Sequence, residues 1–460
     1  MSFKDIKLTN KLYEGGHGSI YEVDDNIVCK VYVKPKSYIM DLFLREVSAI
    51  NLLSNKKYII RSLGFEINNE KGKVYLPRYK QNLADFIHYN EKSFRLQHIK
   101  RLTFQLLQGL YNANSLAIWH RDIKPWNILL DNNYNIIICD WGLSKFVDSP
   151  SKDIMSNYVQ TTYYRAPEVD NLLNYNRTID IWSVGIVMIE LYNGIAYDEH
   201  EIQNLFANDY EELKKIIPND DGIDLIKKML MKDSSKRITV VEALNHKYFE
   251  SEKTANFKEL NLINNLIASY KHEIDSECFK HQPYITEETR KILFEWLYEL
   301  YKNDNPNYIG VLFLTYHYID LYLAKQNIKK QDFQKLGIVC YLIAMQMKVT
   351  SNFTKYSINR YTFGYLTIAK IVEFINHVVD ILNYDLYRST EHTFLELFAQ
   401  EYNLKDNIVD KLSEELITFA LDYNTRKYKP YIFVLNLLHK NKFINKSEVQ
   451  KYGKLIPEMQ

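Results

Sequence analysis

Residues 120–130 read HRDIKPWNILL, and residues 136–142 read IIICDWG. The first stretch sets Asp122, Lys124 and Asn127 in one turn-rich segment ahead of an apolar strand, and the second sets Asp140 just behind another. Two carboxylates, an amide and an ammonium are thereby gathered into two short turns. What chemistry needs them together is answered by the residues upstream.

EGGHGSIYEV at 14–23 places Gly15, Gly16 and Gly18 in a turn between two strands, where missing side chains let backbone N–H groups approach phosphate oxygens. Alone it would read as a plain hairpin. Lys30 stands among apolar neighbours in the strand NIVCKVYV, and Glu46 lies on the following helix, DLFLREVSAINLL, where it can pair with that lysine. Phosphoryl transfer from a nucleotide needs a cover for the phosphates, a cation on them, metal ligands, and a carboxylate to orient the attacking hydroxyl. All four occur here in that order.

The rest of the chain sets bounds. Its 460 residues are 46% hydrophobic and 25% charged, which predicts two or more globular domains rather than disorder. The 58 basic and 57 acidic side chains nearly cancel, so neither nucleic acid nor an anionic membrane is expected as a partner. Cys29, Cys139, Cys278 and Cys340 are scattered without metal or redox spacing, and the apolar run from Tyr308 to Ala324 carries His317 and Asp320. A soluble intracellular protein is predicted, with no zinc site. Cys29 and Cys139 read as small core-filling residues. Strand signals give way to helical periods after about residue 93, and beyond residue 250 long helices follow one another. The predicted divisions are 1–250, a helical linker at 251–284, a helical domain at 285–400 and a shorter helical remainder at 401–460.

With these motifs in place, residues 1–250 resemble a protein kinase catalytic domain from end to end. The resemblance implies ATP and Mg²⁺ as cofactors and protein Ser/Thr side chains as substrates, with Asp122 as catalytic base and Lys124 on the transferred phosphoryl group. It implies Asn127 and Asp140 as metal ligands, and Leu12, Gly15, Gly16, Gly18, Ile20, Lys30 and Glu46 as the nucleotide site. APE at 166–168, DIWSVG at 180–185 and Arg237 extend it: Glu168 and Arg237 would form a buried pair, and Asp180 would hold the catalytic-loop backbone. Tyr13 replaces the family's first loop glycine, which predicts an altered phosphate cover and supports a rival reading, a low-activity kinase-fold scaffold that presents an adaptor. YRAPE, with Arg165, is similar to the cyclin-dependent and MAP kinase group and implies proline-directed substrates. Ser156 falls where an activating phosphate would sit, Arg45, Arg121 and Lys145 match the basic groups that gather it, and Thr161 matches the threonine that contacts Asp122 and Lys124.

The helical half carries a second resemblance. ETRKILFEWL, YHYIDLYL and VVDILNYDL, followed by STEHTFLELF, resemble a cyclin box over 285–400, with a truncated second repeat expected at 401–460. Arg290 and Asp320 match the family's helix-tying pair and Trp296 its surface tryptophan, whereas its kinase-gripping Lys and Glu fall on Gln346 and Ile375. The fold class predicted is therefore α+β: a bilobal protein kinase fold followed by an all-α cyclin-like domain. A contact between the two within one chain is expected, because tethering supplies effective concentrations in the roughly mM range. The run TIAKIVEFINHVVDILNYDLY is expected to be one helix. Fusion of the two halves and an A/T-type coding bias point to a large DNA virus as the source.

Overall fold

A computed structural model describes residues 8, 10–15, 18–33, 41–68, 70–146, 161–170, 175–195, 197–253, 255–271, 273–274, 279, 281–304, 308–349 and 367–453. Gly16 and Ser156, both singled out by sequence, lie outside them, as does Cys278.

The chain begins with an antiparallel sheet of β1 (Lys11–Gly15), β2 (Gly18–Glu22), β3 (Ile27–Val33), β4 (Gly64–Ile67) and β5 (Lys71–Pro77), in the order β1-β2-β3-β5-β4. Lys30 sits mid-strand in central β3, opposite Ile20 of β2 and Val74 of β5. Side chains alternate across a strand, so Cys29 and Val31 pack with Tyr75 on one face while Lys30 and Tyr32 face the other. Beneath that second face runs helix α1 (Asp41–Leu53), in which even Arg45, Glu46 and Ser48 are buried. A helix with so little solvent-facing surface must be covered on both sides. The sheet covers one side of it and the helical half the other.

The larger lobe is built on α2 (Lys92–Asn114) and α3 (Thr178–Asn193), the latter buried along most of its length. Short strands lie at its upper edge: β6 (Gln81–Asn82) pairs with β8 (Ile128–Leu130), which pairs with β9 (Ile136–Ile138), while β7 (Ile118–Trp119) pairs with β10 (Lys145–Phe146). These pairings pin the 120–127 and 139–144 turns side by side.

After the linking helix α4 (Leu262–Ser269), the helical half comprises α5 (Glu287–Asp304), α6 (Ile309–Lys325), α7 (Lys330–Lys348), α8 (Ile368–Ile381), α9 (Glu391–Glu401), α10 (Asp406–Leu421), α11 (Pro430–Lys440) and α12 (Lys446–Tyr452), among the described residues. α6 and α7 are buried over most of their surfaces and form its centre. None of the helices is long and apolar enough to cross a membrane, among the described residues.

The expected single helix over TIAKIVEFINHVVDILNYDLY is corrected: α8 stops at Ile381. Asn383 and Tyr384 take left-handed conformations, with φ of 53° and 55°, and the Tyr384 N–H donates to Val379 O at 3.0 Å, closing the last turn. Asparagine tolerates that region better than most side chains. Residues 385–390 then run without regular structure onto the kinase lobes until Thr390 caps α9.

Candidate active site

Lys30 Nζ lies 2.7 Å from Asp140 Oδ1 and 3.1 Å from Glu46 Oε2, joining the sheet, α1 and the turn after β9. Burial works to lower the Lys30 pKa, but the two carboxylates outweigh it and hold the ammonium above its ordinary value. Tyr32, two residues along the same face of β3, donates its hydroxyl to Glu46. Asp140 itself is left-handed, with φ of 59°, which turns its carboxylate back under the sheet.

The 120–127 turn is organised around Asp180. Its carboxylate accepts from the backbone N–H groups of His120 at 2.9 Å and Arg121 at 2.8 Å, and so holds Arg121 at a φ of 66°. Burial raises the Asp180 pKa, opposed by the nearby His120 and Arg121. Asp122 projects beyond this brace. Its Oδ2 accepts from Lys124 Nζ at 2.8 Å and Asn127 Nδ2 at 2.9 Å, and its Oδ1 accepts from the Thr161 hydroxyl at 3.0 Å. Lys124 Nζ also meets Thr161 Oγ1 at 2.8 Å, so the end of the 140–168 segment is tied to the 120–127 turn. Trp141 is fully buried, edge-on to His120, with its indole N–H on Ile138 O.

Below the turn, Arg237 donates to both oxygens of Glu168, at 2.6 and 2.8 Å, inside the core. Arg165 is partly exposed. Arg45 and Arg121 come close enough for their charges to repel. Arg121 Nε donates to Leu143 O, Nη1 to the Tyr175 hydroxyl, and Nη2 is buried without a hydrogen-bond partner among the described residues. Lys145 is buried in β10.

Of the glycine-turn residues, Leu12 is exposed, Gly15, Gly18 and Ile20 are partly buried, and Gly18 has a φ of +144°. A Cβ on Gly18 would lie 2.7 Å from Val31 O, so only glycine fits there. Tyr13 is 57% exposed and folds its ring back towards Gly15, where an added Cβ would meet it at 2.8 Å.

The helical half reaches this site directly. Arg45 Nη2 donates to Gln346 O at 2.7 Å, the Ser48 hydroxyl to Tyr384 O at 3.0 Å, and Asn51 Nδ2 to Asn383 O at 3.3 Å. The Tyr384 ring packs edge-on against Phe43 and Phe65. Gln346 thus contributes its main-chain oxygen, and Ile375 is buried. Within that half, Arg290 grips Asp320 with two bonds of 2.7 and 2.8 Å, both residues being fully buried, and Trp296 is partly exposed. Arg426, from the 401–460 stretch, adds a second guanidinium on Asp320 Oδ2 at 2.8 Å and pairs with Glu391. Sequence reasoning missed Arg426, Tyr384, Tyr387 and Ser144. The last two are described below.

Residues 6–249 match the protein kinase domain, more than half of the chain, and residues 261–387 match the N-terminal domain of cyclins. The chain belongs to the protein kinase family and carries a cyclin domain after its kinase domain. Cell division control protein 2 homologue 2 of Trypanosoma brucei brucei is 28% identical over 293 residues, covering 54% of this chain and 84% of that protein. Mitogen-activated protein kinase 14 of Xenopus laevis is 35% identical over 187 residues, covering 33% of this chain and 51% of that protein. Extracellular signal-regulated kinase 1 of Dictyostelium discoideum is 36% identical over 192 residues, covering 34% of this chain and 36% of that protein.

Proposed function

We propose that the chain is a Mg-ATP-dependent serine/threonine protein kinase, directed to residues followed by proline, whose own cyclin-like half holds its site assembled. The observation that carries this reading is Lys30 Nζ bridging Glu46 and Asp140, which joins the three movable parts that must meet before transfer.

The residues suit the cofactors. Asn127 commits its amide nitrogen to Asp122, so its amide oxygen is the end that could meet a metal ion, and Asp140 offers a carboxylate that is partly open to solvent. Two protein oxygens plus phosphate and water are what Mg²⁺ commonly uses. When bound, the ion neutralises charge on the nucleotide phosphates. Lys30 would then bind the phosphates, and Asp122 would orient the acceptor hydroxyl and take its proton at a carboxylate oxygen. Lys124 would balance charge on the group in transit, and Thr161 would keep both side chains in register.

Arg121 Nη2, without a hydrogen-bond partner among the described residues, with Arg45 close by and Lys145 in the paired strand, favours a phosphate on Ser156 as a further control. YRAPE with Arg165, which resembles the cyclin-dependent and MAP kinase group, supports the preference for proline.

Metal-dependent phosphate transfer from ATP to protein, abolished by Asp122→Asn, is the test. The Tyr13 ring over Gly15 favours a second reading, a scaffold with weak nucleotide binding. Absence of Mg-ATP binding by calorimetry would select it.

A further inference from the structure

The break after α8 delivers Tyr387 into the kinase lobes. Its hydroxyl donates to Ser144 O at 3.0 Å, and the Ser144 hydroxyl, 3.1 Å away, donates back to it. Its ring stacks on Phe146 at 5.7 Å, and Lys348 of α7 caps the other ring of that stack at 5.6 Å. Ser144 lies four residues beyond Asp140, at the point where the chain enters β10. The preceding carbonyl, Leu143 O, is held by Arg121 of the catalytic turn at 2.8 Å. Two successive carbonyls are therefore gripped, one by the catalytic turn and one by the helical half. Tyr387 is 4% exposed, and its hydroxyl lies near both Arg45 and Arg121.

We propose that Tyr387 is a positioning residue for phosphoryl transfer: its hydroxyl, supplied by the helical half, fixes the Ser144 carbonyl and thereby the path of the chain leaving Asp140. This rests on the reading above, that the helical half supports the kinase half. Arg45 ties that half to α1, which carries Glu46, and Tyr387 ties it to the segment that carries Asp140. The two carboxylates that meet on Lys30 are thus both set from the same partner surface. The Tyr387 hydroxyl meets both the carbonyl and the hydroxyl of Ser144, and only the bond to the carbonyl acts on the chain path itself.

The test uses the full chain with Tyr387→Phe, which keeps the ring stack and deletes only the hydroxyl. Turnover is measured with myelin basic protein as acceptor, together with hydrogen exchange of the Ser144–Phe146 amides and Tm. The variant removes both bonds to Ser144; the one to the carbonyl, at ordinary strength, corresponds to about a three- to tenfold fall in kcat. The proposal expects that fall with the ATP KM unchanged, faster exchange at those amides, and Tm within about a degree of wild type. Unchanged kcat and exchange would overturn it. So would a fall in kcat that is accompanied by faster exchange throughout the chain and a lower Tm, since that is a purely structural role. Tyr384→Ala, which strips packing between the halves, separates the two ideas. If it leaves kcat untouched, the supporting role of the helical half fails; if it lowers kcat while Tyr387→Phe does not, only the assignment to Tyr387 fails.

Discussion

The guanidinium of Arg45 reaches across 301 residues of sequence to the main-chain oxygen of Gln346, at 2.7 Å. The next residue along α1 is Glu46, which pairs with Lys30, so one helical turn links the helical half to the lysine proposed to bind the nucleotide. A charged hydrogen bond of this kind contributes about 1.5–3 kcal/mol. Arg45→Met is expected to lower kcat by about tenfold or more as α1 loosens, because each ~1.4 kcal/mol is a factor of ten. Steady-state phosphate transfer, compared with wild type at saturating ATP, measures it.

Asp122→Asn is the cleanest chemical test. The amide keeps the shape and can still accept from Thr161, but it cannot take a proton or carry the charge that faces Lys124. Phosphate transfer should fall by about 10²- to 10⁴-fold, with nucleotide binding by calorimetry and Tm nearly unchanged. Retention of more than a tenth of the activity would remove Asp122 from the role proposed.

Arg290→Ala should unfold the helical half. Asp320 would keep Arg426 but lose two buried bonds, and breaking one partner of a buried pair costs about 3–5 kcal/mol. The measurement is limited proteolysis with thermal unfolding, in which α5 and α6 become cleavable below the wild-type midpoint. Wild-type resistance would show the pair to be dispensable.

Glu190 and Tyr164 give a pH signature. Burial raises the Glu190 pKa, against the Tyr164 hydroxyl donated to it at 2.7 Å. The folded chain therefore binds this proton more tightly than the unfolded chain. The associated stability is present below the unfolded value of 4.5 and is lost as pH rises through the higher folded value. Glu190→Gln does not titrate. Its Tm relative to wild type should improve as pH rises above 4.5, and a constant difference over that rise would contradict the assignment.

Much of the site was legible because phosphate chemistry demands particular side chains at fixed spacing. Asp122, Lys124, Asn127 and Asp140 were read together for the role proposed here, Asp122 does meet Lys124 and Asn127, and Glu168 and Arg237, read as a pair 69 residues apart, lie in contact. The contact between the halves was less legible for a physical reason. Sequence reading sought a Lys and a Glu at Gln346 and Ile375, whereas the grip uses backbone oxygens of Gln346, Asn383 and Tyr384, which any residue type could supply. Tyr387 was hidden differently. The apolar period of α8 runs on into NYDLY, and only the left-handed pair Asn383–Tyr384 shows that the helix has ended. Arg426 gave no local signal, because its partners Asp320 and Glu391 are distant in sequence and near only in the fold.

Helix α4 lies between the two halves in sequence, with Ile263 and Leu266 buried in the common core. Every molecule is therefore made with one copy of each half, at fixed stoichiometry. No free pool of the cyclin domain is needed to engage the kinase domain, and dilution cannot separate them. Control by synthesising or destroying one half alone is not available to such a chain: the dose of one sets the dose of the other.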